Sequence, residues 1–190
     1  MKLRYIPLLF LMGFILFPCL GVAEIKFSDR IEEYSLDNEM KVILIQDKRS
    51  PIVVSSRWYK VGSSFEYPGV TGISHILEHM MFKGTTTTEA GEFSRIIKQL
   101  GGSENAFTGR DFTGYYQKVH KDYLETCLKY ESDRMVNLML NQEDLRTERE
   151  VVKEERRLRT EDNPSSKAYE KIGMKIFGLK KYGIPIIGTM

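Results

Sequence analysis

Short stretches rich in apolar and β-branched residues open the ordered-looking part of the chain. Residues 31–36 and 40–45 read as two strands around an Asp37-Asn38-Glu39 turn, and 51–61 as a third strand. Pro68-Gly69 and Gly72 then break the chain and deliver a helix. On that helix Ile73, Ile76, Leu77 and Met80 are expected to face the core. A polar connector, 85–88, follows, with Thr88 a candidate N-cap. Phe93, Ile96, Ile97 and Leu100 recur at helical spacing, and Gly101-Gly102 stops that helix. Residues 103–109 and 112–119 read as paired strands. Long helical patterns cover 121–140 and 143–160, the second dense in charges that mostly belong to a solvated face. Pro164 is expected to end it, and a shorter helix to cover 166–178. No internal repeat is present. Strands and helices in this irregular order predict an α+β fold, a largely antiparallel sheet with helices packed on one side.

One of these helices carries chemistry. His75-Ile76-Leu77-Glu78-His79 is an H-x-x-E-H motif, the reverse of the zincin H-E-x-x-H. At about 100° per residue, His75, Glu78 and His79 fall within an arc of roughly 100° on a helix. The two imidazoles can reach one metal ion, and Glu78 can take a proton from a metal-activated water. The chain has three histidines, and two of them stand here with a glutamate in the required place. Metal-assisted hydrolysis is the reaction type this proposes. A hydrolytic zinc site commonly has three protein ligands and one open position. The third should be an acid on a nearby element, and the acid-rich stretch 148–155 offers candidates.

These residues resemble the N-terminal part of an M16 (pitrilysin-type) metallopeptidase, the family of insulin-degrading enzyme and mitochondrial processing peptidase. That family follows H-x-x-E-H, about 75 residues later, with a ligand Glu in a pattern like E-R-x-V-V-x-E-E. Glu155 lies 76 positions after His79 and is the second Glu of the pair. Glu148, seven residues earlier, matches a further acidic position and shares its helical face, from which it can support the ligands. The likeness extends to Phe82-Lys83-Gly84-Thr85, to Gly101-Gly102-Ser103-Glu104-Asn105-Ala106-Phe107-Thr108, to Thr113-Gly114-Tyr115-Tyr116, and to Asp162-Asn163-Pro164. Residues 182–188 resemble Y-G-H-P-I-I-G, with Ile184 in place of the histidine. The match runs from about residue 30 to the end.

The resemblance implies Zn2+ held by His75, His79 and Glu155, with Glu78 as the catalytic acid–base group. Asn105, Ala106 and Phe107 would form a strand edge along which an extended peptide can add by main-chain hydrogen bonds, with simple sheet pairing the alternative. The resemblance further implies that a C-terminal M16 half or partner subunit completes the chamber, so that residues 24–190 form an N-terminal domain that is truncated and lacks the second. The expected function is a zinc-dependent endopeptidase of extended or unfolded peptides. A noncatalytic M16-like subunit is the alternative, although such subunits have usually lost the metal residues. A structural zinc is a second one, although structural sites favour four ligands and Cys.

Composition adds an address. Lys2 and Arg4 precede an apolar run from Ile6 to Leu20, and Gly21-Val22-Ala23 offers a cleavage site. Residues 1–23 therefore read as a secretory signal peptide, with an uncleaved membrane anchor as the alternative. The expected location is periplasmic or extracellular. Cleavage would take the formal net charge from +2 to 0, which leaves no basic balance for nucleic acid. Cys19 would leave with the signal, and Cys127 reads as a buried structural thiol.

Overall fold

A computed structural model of the chain describes residues 30–178 and 180–189. The signal peptide expected over 1–23 lies outside the described residues. The chain divides into two compact units at Arg49/Ser50. In the first, β1 (Ile31–Ser35) and β2 (Lys41–Ile45) pair antiparallel as a hairpin, Ile31 opposite Ile45. Glu39 in its turn takes a positive φ of 65°.

The second unit is built on a three-stranded antiparallel sheet in the order β3 (Ile52–Tyr59), β5 (Thr113–His120), β4 (Ser103–Thr108). Its register sets Ile52 opposite His120 and Ser103 opposite Lys118. β5 is the buried central strand, and the more polar β4 is an edge. Helix α2 (Glu92–Gln99) and helix α3 (Leu124–Asn137) supply Phe93, Ile97 and Cys127, which close on Val119 of β5 with Val53 and Tyr130 beside them. Cys127 is fully buried, as expected. The opposite face of β3 leaves Ile52, Val54 and Trp58 exposed. Helices thus pack on one side of an antiparallel sheet, as the residue pattern predicts.

Around this core the charged helices find places. The buried Arg134 of α3 pairs with Glu131 at 2.6 Å, and Gln117 of β5 donates to the same carboxylate. The Arg134 guanidinium also lies over the rings of Tyr115, Phe82 and Phe93, at 4.5–5.5 Å. Helix α4 (Gln142–Arg156) is capped by Asn141, whose side chain accepts from Asp144 N at 2.8 Å. Its first turn is acidic, which suits the helix dipole, while its last turn sets Lys153 and Arg156 beside Glu154 and Glu155. A π-helical turn, Arg157–Glu161, leads to α5 (Pro164–Phe177). No described helix is long and apolar enough to cross a membrane.

Several local expectations need correction. Helix α1 (Ile73–Met80) buries Ser74, His75 and Met80, whereas Ile73 and Leu77 are 54% and 41% exposed. Its inward face combines Met80, as expected, with His75 beside Glu155 of α4 and Ser74, whose N–H donates to Glu66. Thr88 caps nothing: α2 begins after Gly91, and the Thr88 hydroxyl donates to Asp133 at 3.0 Å. Pro164 begins a helix rather than ending one. It occupies the first turn of α5, where its missing N–H is no loss, behind an Asn163 cap.

Candidate metal centre

Helices α1 and α4 face each other and supply every predicted metal-site residue. His75 and His79 project from successive turns of α1 with ring centroids 4.8 Å apart. Glu148 and Glu155 project from α4 two turns apart. Glu155 Oε2 lies 3.7 Å from His75 Nε2 and 3.5 Å from His79 Nε2. One ligand atom from each of the three residues can be chosen so that all lie within 4.8 Å of one another.

These separations test whether an ion fits. They are too long for hydrogen bonds. A tetrahedral zinc with donors at about 2.0–2.1 Å would hold them about 3.3–3.4 Å apart, close to what is seen. Glu155 Oε2 is also buried and takes no hydrogen bond from any described residue. An unshared carboxylate oxygen aimed between two imidazole nitrogens is costly unless a cation shares it. Burial is the main influence on His75 and pushes its pKa down. Glu155 opposes this, while His79 and Arg159 add to the lowering. A neutral imidazole is the form that binds a metal. The donor set therefore suits a divalent ion of zinc's type.

Each carboxylate is held by one oxygen and presented by the other. Glu148 Oε1 meets Lys83 Nζ at 2.6 Å, and its Oε2 meets His79 Nδ1 at 3.0 Å. That second contact leaves Nε2 of His79 with its lone pair toward Glu155. Burial works against ionising Glu148, but the bonds from Lys83 and His79 outweigh it and hold its pKa below the usual carboxylate range. Glu155 Oε1 meets Arg159 at 2.7 Å, which keeps Oε2 for the histidines. The neighbouring Glu154 points elsewhere, to Arg157 at 2.9 Å on the surface.

Glu78 stands beside this cluster. The Thr108 hydroxyl of β4 donates to Glu78 Oε2 at 2.5 Å. Glu78, His79, Phe82, Lys83, Glu148, Asn105 and Ala106 line one open cleft of about 230 Å³. Asn105 and Ala106 thus lie at the edge strand beside the cluster. Phe107 does not line that cleft; its ring packs against Trp58 at 5.3 Å and Phe112 at 6.1 Å. The Ala106 N–H is bound to the Asn105 side-chain oxygen at 2.9 Å.

Sequence patterns did not signal several supports. Thr108 acts on Glu78 from 30 residues away, and Glu66 acts on a helix start six and eight residues ahead across a turn, so no helical or strand period marks either role. Glu66 is buried, and its carboxylate accepts from Gly72 N at 2.7 Å and Ser74 N at 2.8 Å, at the open end of α1. Gly72 has φ 83°, so no side-chain cap serves there, and Glu66 does that work from outside the helix. Lys83 and Arg159 were within reach of spacing arguments, since each lies four residues after a site residue.

Comparison with known proteins gives the family. Residues 41–190 match the family described as Insulinase (Peptidase family M16). The zinc protease YmxG of Bacillus subtilis is 33% identical over 84% of the chain, and the zinc protease PqqE of Helicobacter pylori is 37% identical over 73%. The chain spans only 39% and 31% of the length of these two relatives. The crystal structure of a protease from Helicobacter pylori superposes with a TM-score of 0.81 at 35% identity, over 84% of this chain and 39% of that one. A peptidase M16 inactive domain from Pseudomonas fluorescens shares the fold at TM-score 0.75 and 16% identity, over 83% of this chain and 38% of that one. With its H-x-x-E-H helix set against an acidic helix, in a fold that zinc-protease relatives share, the chain belongs to the M16 (insulinase) family of peptidases.

Proposed function

We propose that this chain is the zinc-bearing part of an M16 endopeptidase that cuts extended or unfolded peptides. Residues 24–190 form its N-terminal peptidase domain, and 1–23 direct export to the periplasm or beyond. The observation that carries the reading is the unshared Glu155 Oε2, set 3.5–3.7 Å from two imidazole nitrogens beside Glu78.

In this reading His75, His79 and Glu155 hold zinc, and Glu148 orients His79 through Nδ1. Bound zinc supplies Lewis acidity, which makes a water easier to deprotonate and a carbonyl easier to attack. Glu78 moves the proton. Thr108 occupies its Oε2, so Oε1 takes the proton of the attacking water and then returns it to the leaving amine nitrogen as the C–N bond breaks. The substrate lies along the free edge of β4, at Asn105 and Ala106. To receive a substrate carbonyl, the Ala106 N–H exchanges its bond to the Asn105 side chain for one to the peptide.

Activity is proposed for the longer assembly, because the relatives are more than twice the length matched here. A C-terminal M16 half, on the same chain or as a separate subunit, supplies the opposing wall. A noncatalytic subunit of this fold has no reason to keep His75, His79, Glu155 and Glu78 together.

The choice of third ligand provides the test. Zinc content of the purified full chain is measured for Glu155→Gln and Glu154→Gln. Glu155→Gln is expected to lose most of the metal and Glu154→Gln to keep it. Loss on Glu154→Gln alone would mean that α4 is in the wrong register.

A further inference from the structure

The two helices of the metal centre share no ligand and lie far apart in sequence, yet metal–donor distances tolerate only about 0.2 Å of error. Something must set their separation.

Arg156 follows Glu155 on α4, and about 100° of helical rotation turns it away from the histidines. It is only 6% exposed. Its guanidinium bonds Glu170 at 2.8 and 3.1 Å, Glu161 at 3.1 Å and the Gly188 carbonyl at 2.6 Å. Gly188 in turn packs directly on Gly72, at the start of α1. A methyl group on Gly188 would come within 2.7 Å of the Thr71 carbonyl oxygen, and one on Gly72 within 2.8 Å of the Ile187 oxygen. Both glycines have φ near +84°, a conformation that side chains rarely adopt. Thr189 N donates to Thr71 Oγ1 at 3.1 Å across the same contact. From Gly72 the path enters α1 through the Glu66 carboxylate, which holds Gly72 N and Ser74 N, and the next residue is His75. Ile184, fully buried, and Arg110, which donates to the Ile184 carbonyl at 3.3 Å, pin the other end of the segment.

We propose that residues 183–189 are a strut that sets the spacing of α1 and α4, with Arg156 as the positioning residue that ties α4 to it through Gly188. The path runs from a neighbour of Glu155 to a neighbour of His75 with no gap. Arginine suits the task, since one planar fork of donors serves two carboxylates and a carbonyl at once, and a lysine ammonium cannot span all three. Its buried charge is tolerable only while those partners stay in place. The strut acts on metal affinity rather than on substrate. It rests on the zinc reading of His75, His79 and Glu155.

Zinc affinity of the full chain, measured by competition with a chromophoric chelator, tests it without any need for peptidase activity. Arg156→Met and Gly188→Ala should each weaken zinc binding by about 10–100-fold, the range for residues that orient metal ligands. Arg156→Lys should fall between them and wild type. Arg157→Met, next in sequence but exposed, should bind as wild type does. The double variant Arg156→Met/Gly188→Ala should be scarcely weaker than the worse single, because both cut one path. Cobalt-substituted protein should show an altered visible spectrum in the strut variants only. Variants that unfold cooperatively yet bind zinc within about twofold of wild type would overturn the strut. If Arg156→Met does not fold, Arg156→Lys and Gly188→Ala decide on the same terms. A wild-type chain that binds no zinc would overturn the metal reading, and this inference with it.

Discussion

Beneath the sheet, Phe93, Ile97, Val119 and Cys127 meet as an apolar cluster with no charge to neutralise. Between α1 and α4 the interior is built the other way. His75 and Glu148 are buried about as deeply, and the side-chain partners of the two histidines and of Glu148 are imidazole, carboxylate or ammonium groups, set among the buried Met80 and Val152 of the same two helices. The first region is held by area removed from water and packed to high density. The second is held by pairing, in which each group is tolerable because of its neighbour. The two should therefore fail differently. Removing apolar volume should cost stability and leave the chemistry intact. Removing a charged group at the site should change chemistry or metal affinity by more than it changes the fold. Arg134, ion-paired to Glu131 and stacked on Phe82, Phe93 and Tyr115, brings one paired charge to the border of the apolar cluster.

The sharpest contrast is expected at Glu78. Glu78→Gln should lower peptide turnover by about 10²–10⁴ in any assembly that is active, while zinc content and thermal stability stay near wild type. Stopped assays with a quenched fluorescent peptide would show it, and near-normal turnover would remove Glu78 from its role. At Ile97, fully buried under the sheet, the pattern should reverse. Ile97→Ala should cost about 2–5 kcal/mol in denaturant unfolding, with zinc affinity unchanged in the folded protein. If zinc affinity fell in step with stability, the two regions would not be separable.

The smallest effect is expected at Asp133, which anchors the connector between α1 and α2. It accepts from the hydroxyls of Thr85, Thr87 and Thr88 and from Asn137. The Thr85 bond is the main cause that holds its pKa down at about 2, against a usual 3.8. A lowered carboxylate pKa contributes stability that is fully present above the unfolded value and lost as pH falls through the folded one. The advantage of wild type over Asp133→Asn should therefore be constant above about pH 5 and disappear between about pH 4 and pH 2. Because Asp133 is only part-buried and solvent still screens it, that advantage should not exceed about 1 kcal/mol. Thermal melts across that range would check it, and a difference that grew toward low pH would contradict the assignment.

The sequence made the candidate metal residues legible because helical repetition fixes where they point. Residues four apart on α1 and seven apart on α4 had to share faces, and they do. The family spacing then selected Glu155 over Glu154, and the two indeed face different ways. The same logic misplaced Ile73 and Leu77. The rule that sends aliphatic residues inward holds at Met80 but fails at Ile73 and Leu77, because Ser74 and His75 take inward places beside acidic partners. Thr88 was misread because a hydroxyl before a helix can serve either the helix or a distant carboxylate, and Asp133 lies 45 residues away. Glu66, Thr108 and Arg156 were illegible for a related reason. Thr108 and Arg156 reach partners up to 30 and 32 residues away, and Glu66 reaches across a turn rather than along a helix or strand, so no local period marks them.

The central claim is that two imidazoles of α1 and one carboxylate of α4 hold a single zinc ion. X-ray absorption at the zinc edge, on the full chain loaded with one equivalent, tests it most directly. The account predicts a first shell of nitrogen and oxygen only, at about 2.0–2.1 Å, with multiple scattering from two imidazoles in wild type and from one in His79→Ala. A sulfur scatterer at about 2.3 Å, or a spectrum unchanged by His79→Ala, would contradict it.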